Sequence, residues 1–93
     1  MSHSGTCLCG ALHFVVTAEA GDTLCCHCRD CQRASGAPFM VWTVFPAGSL
    51  QVQSGSLETI VVADRVRTRC STCGSPVTFR DPTIPGDLEV ATL

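Results

Sequence analysis

The sequence predicts an all-β domain, and two of its features lead to that prediction. Short runs rich in Val, Ile, Thr and Phe recur along the chain, some with apolar residues at alternate positions. Clusters of Gly, Pro, Ser and Asp separate these runs and are typical of the turns between strands. With 93 residues and no linker or low-complexity tract, the chain is expected to form a single domain, residues 1–93.

The first predicted strand covers residues 11–17. Leu12, Phe14 and Val16 occupy alternate positions in it, so one of its faces is apolar. His3, near the N-terminus, is expected to lie in a disordered tail.

A cysteine-rich loop over residues 24–31 follows, and then a single helical turn over residues 32–35, which Gly36 and Pro38 end. Residues 39–45 form the strongest predicted strand, because they are rich in β-branched and aromatic side chains and stop before a proline. The remaining predicted strands cover residues 49–53, 57–62, 66–69, 77–80 and 88–93.

Charge and hydropathy argue against two classes of partner. The formal net charge is −2 with only six Lys and Arg residues, whereas proteins that bind nucleic acid usually carry a basic patch. No apolar run approaches the length of a membrane span. We therefore expect neither nucleic acid nor a membrane as a partner.

Eight cysteines in so short a chain indicate a covalent or metal staple, because a core of this size is marginally stable by itself. The N-terminal residues MSHSG lack the basic and apolar regions of a signal peptide, which favours a cytoplasmic location. In the reducing cytoplasm, clustered cysteines indicate metal binding or catalysis. A secreted disulfide framework is the alternative interpretation.

Two of the three cysteine groups are pairs, each followed by a glycine. Cys7 and Cys9 form one pair, and Cys70 and Cys73 form the other. Structural zinc prefers four thiolates in a tetrahedron, and two pairs supply four. The glycine after each pair can adopt a positive φ and let the turn close. The two pairs therefore predict one closed structural zinc site.

The middle group supplies three further thiolates, from Cys26, Cys28 and Cys31. Three protein ligands leave one position for water or substrate, as in catalytic zinc sites, so we expect a second Zn²⁺ here and two per chain. Cys25 is expected to be a small buried residue that points away from this metal, with a redox or ligand role as the alternative. His27 is also expected to point away, although it could bind metal itself.

Three motifs in this order resemble the glutathione-dependent formaldehyde-activating enzyme family, to which centromere protein V also belongs. The motifs are residues 5–11 (GTCLCGA), 26–36 (CHCRDCQRASG) and 70–75 (CSTCGS). The resemblance implies a β-tent fold of several short, coiled antiparallel sheets stapled by zinc. It implies a structural zinc on Cys7, Cys9, Cys70 and Cys73, and a catalytic zinc on Cys26, Cys28 and Cys31.

The resemblance further implies an activity, namely the addition of glutathione to formaldehyde, formally a carbon–sulfur lyase reaction run backward. It also implies a small thiol, glutathione, as the partner of the open zinc. From the residues themselves, His27 and Asp30 are the nearest candidates for an acid or base, and Arg29 or Arg33 for pairing with a substrate carboxylate. A non-catalytic zinc-binding interaction module is the alternative function.

The chain departs from the family pattern in two places. Arg69 precedes the late cysteine pair where the family usually has an aromatic residue. The family also continues beyond the segment that matches residues 89–93, so we expect a short or C-terminally truncated member whose strand 88–93 is a sheet edge. Because an unpaired edge invites pairing with another chain, a homo-oligomer is expected.

Overall fold

Two antiparallel sheets and one short helix make up residues 2–91, the part of the chain that the computed structural model describes. The helix α1 spans Arg29–Ser35. The strands in this range are β1 (His3–Thr6), β2 (His13–Val16), β3 (Thr23–Cys26), β4 (Met40–Pro46), β5 (Leu50–Ser54), β6 (Leu57–Val62), β7 (Arg65–Cys70), β8 (Pro76–Arg80) and β9 (Asp87–Ala91).

The smaller sheet has the strand order β1-β2-β5, and the larger sheet has the order β3-β4-β9-β8-β7-β6. Every ladder in both sheets is antiparallel. The mostly β, antiparallel fold that the sequence predicts is therefore confirmed.

The core lies where the two sheets meet. Leu12, Phe14 and Val16 are buried from the side of the small sheet, as their alternation predicts, and Phe45 and Val90 are buried from the large sheet. The same buried cluster includes two of the cysteines, Cys7 and Cys70. One cysteine of each pair is thus part of the hydrophobic core.

The expectation of a disordered N-terminal tail is wrong. Residues His3–Thr6 form β1, which pairs along its whole length with β2. Its sequence, HSGT, has no apolar periodicity, so the strand exists because β2 offers an edge to pair with. Gly5 allows this approach, because a Cβ at that position would lie 2.5 Å from Cζ of Phe14.

The expected loop over residues 24–31 is also only partly a loop. Thr23–Cys26 form β3, an edge strand of the large sheet, in which Leu24 pairs with Trp42 of β4. Three of its four side chains are exposed, so no alternation marks this strand in the sequence. Its consequence for function is that Cys26 is held on a sheet rather than on a flexible loop.

The C-terminal strand is not a sheet edge, and that prediction is wrong. β9 lies between β4 and β8 and pairs with both, so the backbone of Asp87–Ala91 is flanked on two sides. Residues 92 and 93 of the predicted strand lie outside the described range. The edges of the large sheet are β3 and β6 instead, and the argument for chain pairing at the last strand fails.

Gly55 provides a test of how tightly the connection between β5 and β6 is packed. Its φ is +79°, and a Cβ there would lie 2.5 Å from the carbonyl oxygen of Ala11. We expect Gly55→Ala to lower the free energy of unfolding by more than about 2 kcal/mol, from left-handed strain plus displacement of backbone.

Gly48 is the matched control, because it has a φ of +81° but open space around its Cβ position. Gly48→Ala should cost only the conformational term of about 1 kcal/mol. Denaturant unfolding of both variants measures the difference. Equal costs would mean that the segment around Ala11 yields easily.

Candidate metal centres

The two cysteine pairs come together at one end of the core. The sulfurs of Cys7, Cys9, Cys70 and Cys73 all lie within 4.8 Å of one another. Cys7 Sγ is 3.4 Å from Cys9 Sγ, which is 3.9 Å from Cys70 Sγ. Sulfurs around a tetrahedral zinc with bonds of about 2.3 Å are about 3.8 Å apart, so this donor set fits a zinc ion.

The two turns that present these sulfurs are built alike. Gly10 and Gly74 each have a φ of +79°, as the sequence predicts, and their N–H groups donate to the carbonyls of Cys7 and Cys70. Other backbone N–H groups point at the sulfurs themselves. That of Leu12 donates to Cys7 Sγ (3.3 Å), as those of Thr72 and Cys73 do to Cys70 Sγ (3.4 and 3.5 Å).

Ser75 connects the two turns, a role that the sequence analysis missed. Its Oγ accepts a hydrogen bond from the Leu8 N–H (3.1 Å) and lies 3.1 Å from Cys73 Sγ. Hydrogen bonds from the Ser75 side chain and backbone lower the pKa of Cys73 to about 5, because they stabilise its thiolate. The serine follows the second pair within the CSTCGS motif, but only the folded structure brings it to Leu8.

The middle group, the three-cysteine group, is built from an edge strand and a helix. Cys26 ends β3, Cys28 is the N-cap of α1, and Cys31 lies in its first turn. Their sulfurs lie within 4.8 Å of one another, with Cys26 Sγ at 3.2 Å from Cys28 Sγ and 2.9 Å from Cys31 Sγ. This set offers three thiolates to a metal, which matches an open zinc site.

Capping explains why the helix starts where it does. Cys28 has extended backbone angles (φ −66°, ψ 155°), its carbonyl accepts from the Gln32 N–H, and its sulfur accepts from the Cys31 N–H (3.4 Å). Gly36 ends the helix with a φ of +71°. The helical turn expected over residues 32–35 therefore begins three residues earlier, at Arg29, and carries Cys31 with it.

The pKa values of two of these thiols are shifted in opposite directions. Burial and the neighbouring Cys31 sulfur raise the pKa of Cys26 to about 12. The Cys31 N–H, by contrast, lowers the pKa of Cys28, because it stabilises that thiolate. A cation that binds all three sulfurs must therefore displace the proton held at Cys26.

Neither Cys25 nor His27 joins a sulfur group. Cys25 alternates with Cys26 along β3, as expected, but its side chain is exposed, so the prediction of a small buried residue is wrong. His27 stacks against Phe39 with ring centroids 5.3 Å apart. The expectation that it points away from the three sulfurs agrees with this placement.

A positively charged side chain, for which the sequence indicated no role, lies beside the three-cysteine group. Arg67 of β7 places Nη2 4.0 Å from Cys31 Sγ, and its guanidinium carbon lies 4.7 Å above the ring of Phe79. The arginines named from the sequence, Arg29 and Arg33, are exposed on α1. The available signal was the alternation of arginines along β7, which does not show what they face.

Two clefts of about 320 and 390 Å³ lie elsewhere on the molecule. Phe14 lines both of them, His3 and Phe45 line the first, and neither is lined by a cysteine. They are gaps beside the small sheet. Neither of these two clefts therefore forms part of a sulfur group.

Comparison with known proteins agrees with this arrangement. The model of the family described as glutathione-dependent formaldehyde-activating enzyme matches residues 2–92. The crystal structure of a Rhodobacter sphaeroides protein superposes with a TM-score of 0.77 at 26% identity, covering 96% of this chain and 84% of that one. No curated protein matches the sequence significantly. Within residues 2–91, no helix is long and apolar enough to cross a membrane.

The two sulfur groups should respond differently to loss of one ligand. Cys73→Ser opens the group that joins the two sheets, so we expect it to destabilise the fold by about 3 kcal/mol or more. Cys28→Ser should leave the fold intact, because serine is itself a favoured N-cap and keeps α1 in place.

Thermal unfolding and zinc analysis measure the two outcomes. We expect two Zn²⁺ in the parent protein and one in Cys28→Ser. Similar unfolding of both variants would contradict a division into a structural and an open site.

Ser75 should tune the four-sulfur group. Ser75→Ala removes the hydroxyl that supports the Cys73 thiolate, so zinc affinity of that group should fall about tenfold. Ser71→Ala is the control, since Ser71 bonds to Ser56 and not to a cysteine. Chelator competition measures both affinities, and an equal effect of the two substitutions would remove the special role of Ser75.

Proposed function

Because the chain belongs to the glutathione-dependent formaldehyde-activating enzyme family, we propose that it is a zinc-dependent enzyme of the carbon–sulfur lyase type. Its reaction is the addition of glutathione, or another small thiol, to formaldehyde or a related small aldehyde. The observation that carries the proposal is the group of three cysteine sulfurs within 4.8 Å, with no fourth protein ligand in that group.

Seven cysteines hold two zinc ions in this proposal. Cys7, Cys9, Cys70 and Cys73 hold the structural ion, and Cys26, Cys28 and Cys31 hold the second. When bound at the three-cysteine group, zinc supplies a coordination position at which a thiol is held as its nucleophilic thiolate.

The protein's own residues leave that position accessible. The side chain of Cys28 is exposed and that of Cys26 half-buried, whereas Cys31 is buried against the sheet. Substrate can therefore approach from the side of Cys28, and the helix N-cap fixes the direction of that sulfur.

The proposed addition is balanced without a redox partner. The thiol sulfur forms a bond to the carbonyl carbon, the carbon–oxygen double bond becomes single, and the oxygen takes up one proton. The thiol releases one proton when it binds as thiolate, so solvent carries as many protons away as it returns.

A non-catalytic interaction module is the second candidate, and one feature favours it. β6 is an edge of the large sheet and exposes Val61 and Val62, 62% and 64% accessible. An apolar edge strand is a surface on which another chain can pair. Thiol binding at the three-cysteine group separates the two candidates.

Calorimetry with glutathione and its serine-containing analogue tests the proposal. We expect glutathione to bind the zinc-loaded protein, and the hydroxyl analogue to bind at least about tenfold more weakly, because thiolate-rich zinc favours a soft ligand. Cys28→Ser should lose glutathione binding. The rate of exchange between formaldehyde and its glutathione adduct, measured by NMR, should rise with the parent protein only.

Equal binding of the two ligands would contradict a metal–thiol contact. Unchanged glutathione binding by Cys28→Ser would do the same, and the edge strand β6 would then become the leading candidate for function.

A further inference from the structure

Three arginines alternate along β7, and two of them are paired. Arg65 makes an ion pair with Asp81 at 3.3 Å, and Arg69 makes one with Glu58. Arg67, between them, makes no ion pair within residues 2–91. Its charge acts on Glu89 of β9 without forming a direct ion pair, and a half-buried guanidinium that no carboxylate contacts is uncommon.

Stacking fixes the position of Arg67. Its guanidinium lies over the ring of Phe79, which neighbours it directly on β8. A stacked guanidinium keeps its edge N–H groups free for acceptors in its plane. The contact with Cys31 Sγ at 4.0 Å is long and uses at most one of those donors.

The sheet register places Arg67 on the same face as the three-cysteine group. Arg67, Phe79 and Glu89 are direct cross-strand neighbours, so their side chains share one face. Trp42 pairs with the residue two positions after Glu89, and Cys26 pairs with the residue two positions before Trp42. By the period of two, Cys26 lies on this face as well.

The same face presents a second donor. The indole of Trp42 is 2% exposed, its ring lies 6.1 Å from that of Phe79, and its Nε1 has no hydrogen-bond partner within the described residues. Glu89 is an acidic group on this face, with Phe79 between it and Arg67, and the charges of Asp87 and Asp81 also act on its carboxyl group. An anion that enters is therefore attracted to the Arg67 side and repelled from the Glu89 side.

We propose that Arg67 binds a carboxylate of the thiol substrate, so that the three-cysteine site takes thiols that carry a carboxylate. Arg67 is then a specificity-determining residue, and this inference rests on the proposed function. Its nitrogen is close enough to Cys31 Sγ that a thiol held at the three sulfurs brings its neighbouring atoms within reach of the guanidinium. Arg–carboxylate pairs are bidentate and directional, which suits this task.

A matched pair of ligands tests the inference on the zinc-loaded protein. Mercaptopropionate and mercaptopropanol share the thiol and the chain length and differ in the carboxylate. We expect the parent protein to bind mercaptopropionate about tenfold more tightly by calorimetry, the size of one charge-assisted contact. Arg67→Gln should lose this preference and bind mercaptopropanol as before.

Two further variants serve as controls. Arg69→Gln removes a charge from the same strand but from a residue paired with Glu58, and it should keep the tenfold preference. Arg67→Lys keeps the charge without the planar fork and should keep only part of it. Trp42 is the single tryptophan and the chain has no tyrosine, so its fluorescence shows that each variant retains the packed sheet.

The outcomes separate the two proposals. Equal binding of both thiols by the parent protein, or an undiminished preference in Arg67→Gln, overturns the role of Arg67 and leaves the proposed function standing. Failure of the parent protein to bind either thiol overturns both.

Discussion

The fold depends on the place where its two sheets meet, at which four cysteine sulfurs lie within 4.8 Å of one another at the end of the core. One pair comes from the connection that follows β1, and the other from the last residue of β7 and the turn after it. Cys7 and Cys70 are also members of the hydrophobic cluster, so two of the proposed structural zinc ligands are packed in the core. For a chain of 93 residues, a zinc ion held there would close a long loop and offset the small size of the core.

The three-cysteine group lies outside the place where the two sheets meet. It is formed by an edge strand and the first turn of a short helix, and only Cys31 among its members is buried. Within residues 2–91, its cysteines are not part of the main hydrophobic cluster, and the side that carries Cys28 is exposed. The molecule thus separates the cysteines that we propose to be structural from those that we propose to be reactive.

The sequence predicts those parts of the arrangement that depend on local signals. Residues 57–62 match β6 at both ends, because their β-branched side chains and flanking turns are local signals. The grouping of cysteines also follows from local spacing. By contrast, β1 and β3 exist through pairing with a neighbouring strand, and the interior position of β9 is a property of topology. The roles of Ser75 and Arg67 could not be predicted for the same reason, because each depends on a contact with a residue distant in sequence.

The cap of α1 has a consequence for how fast metal is exchanged. Cys28 and Cys31 are held by the same first helical turn, so fraying of that turn moves two of the three sulfurs at once. Release of an ion from this group then requires only a small local opening, whereas the four-sulfur group draws its sulfurs from two separate turns that do not move with α1. With zinc in both groups as proposed, such a molecule would lose and regain the ion of the three-cysteine group while the four-sulfur group stays intact.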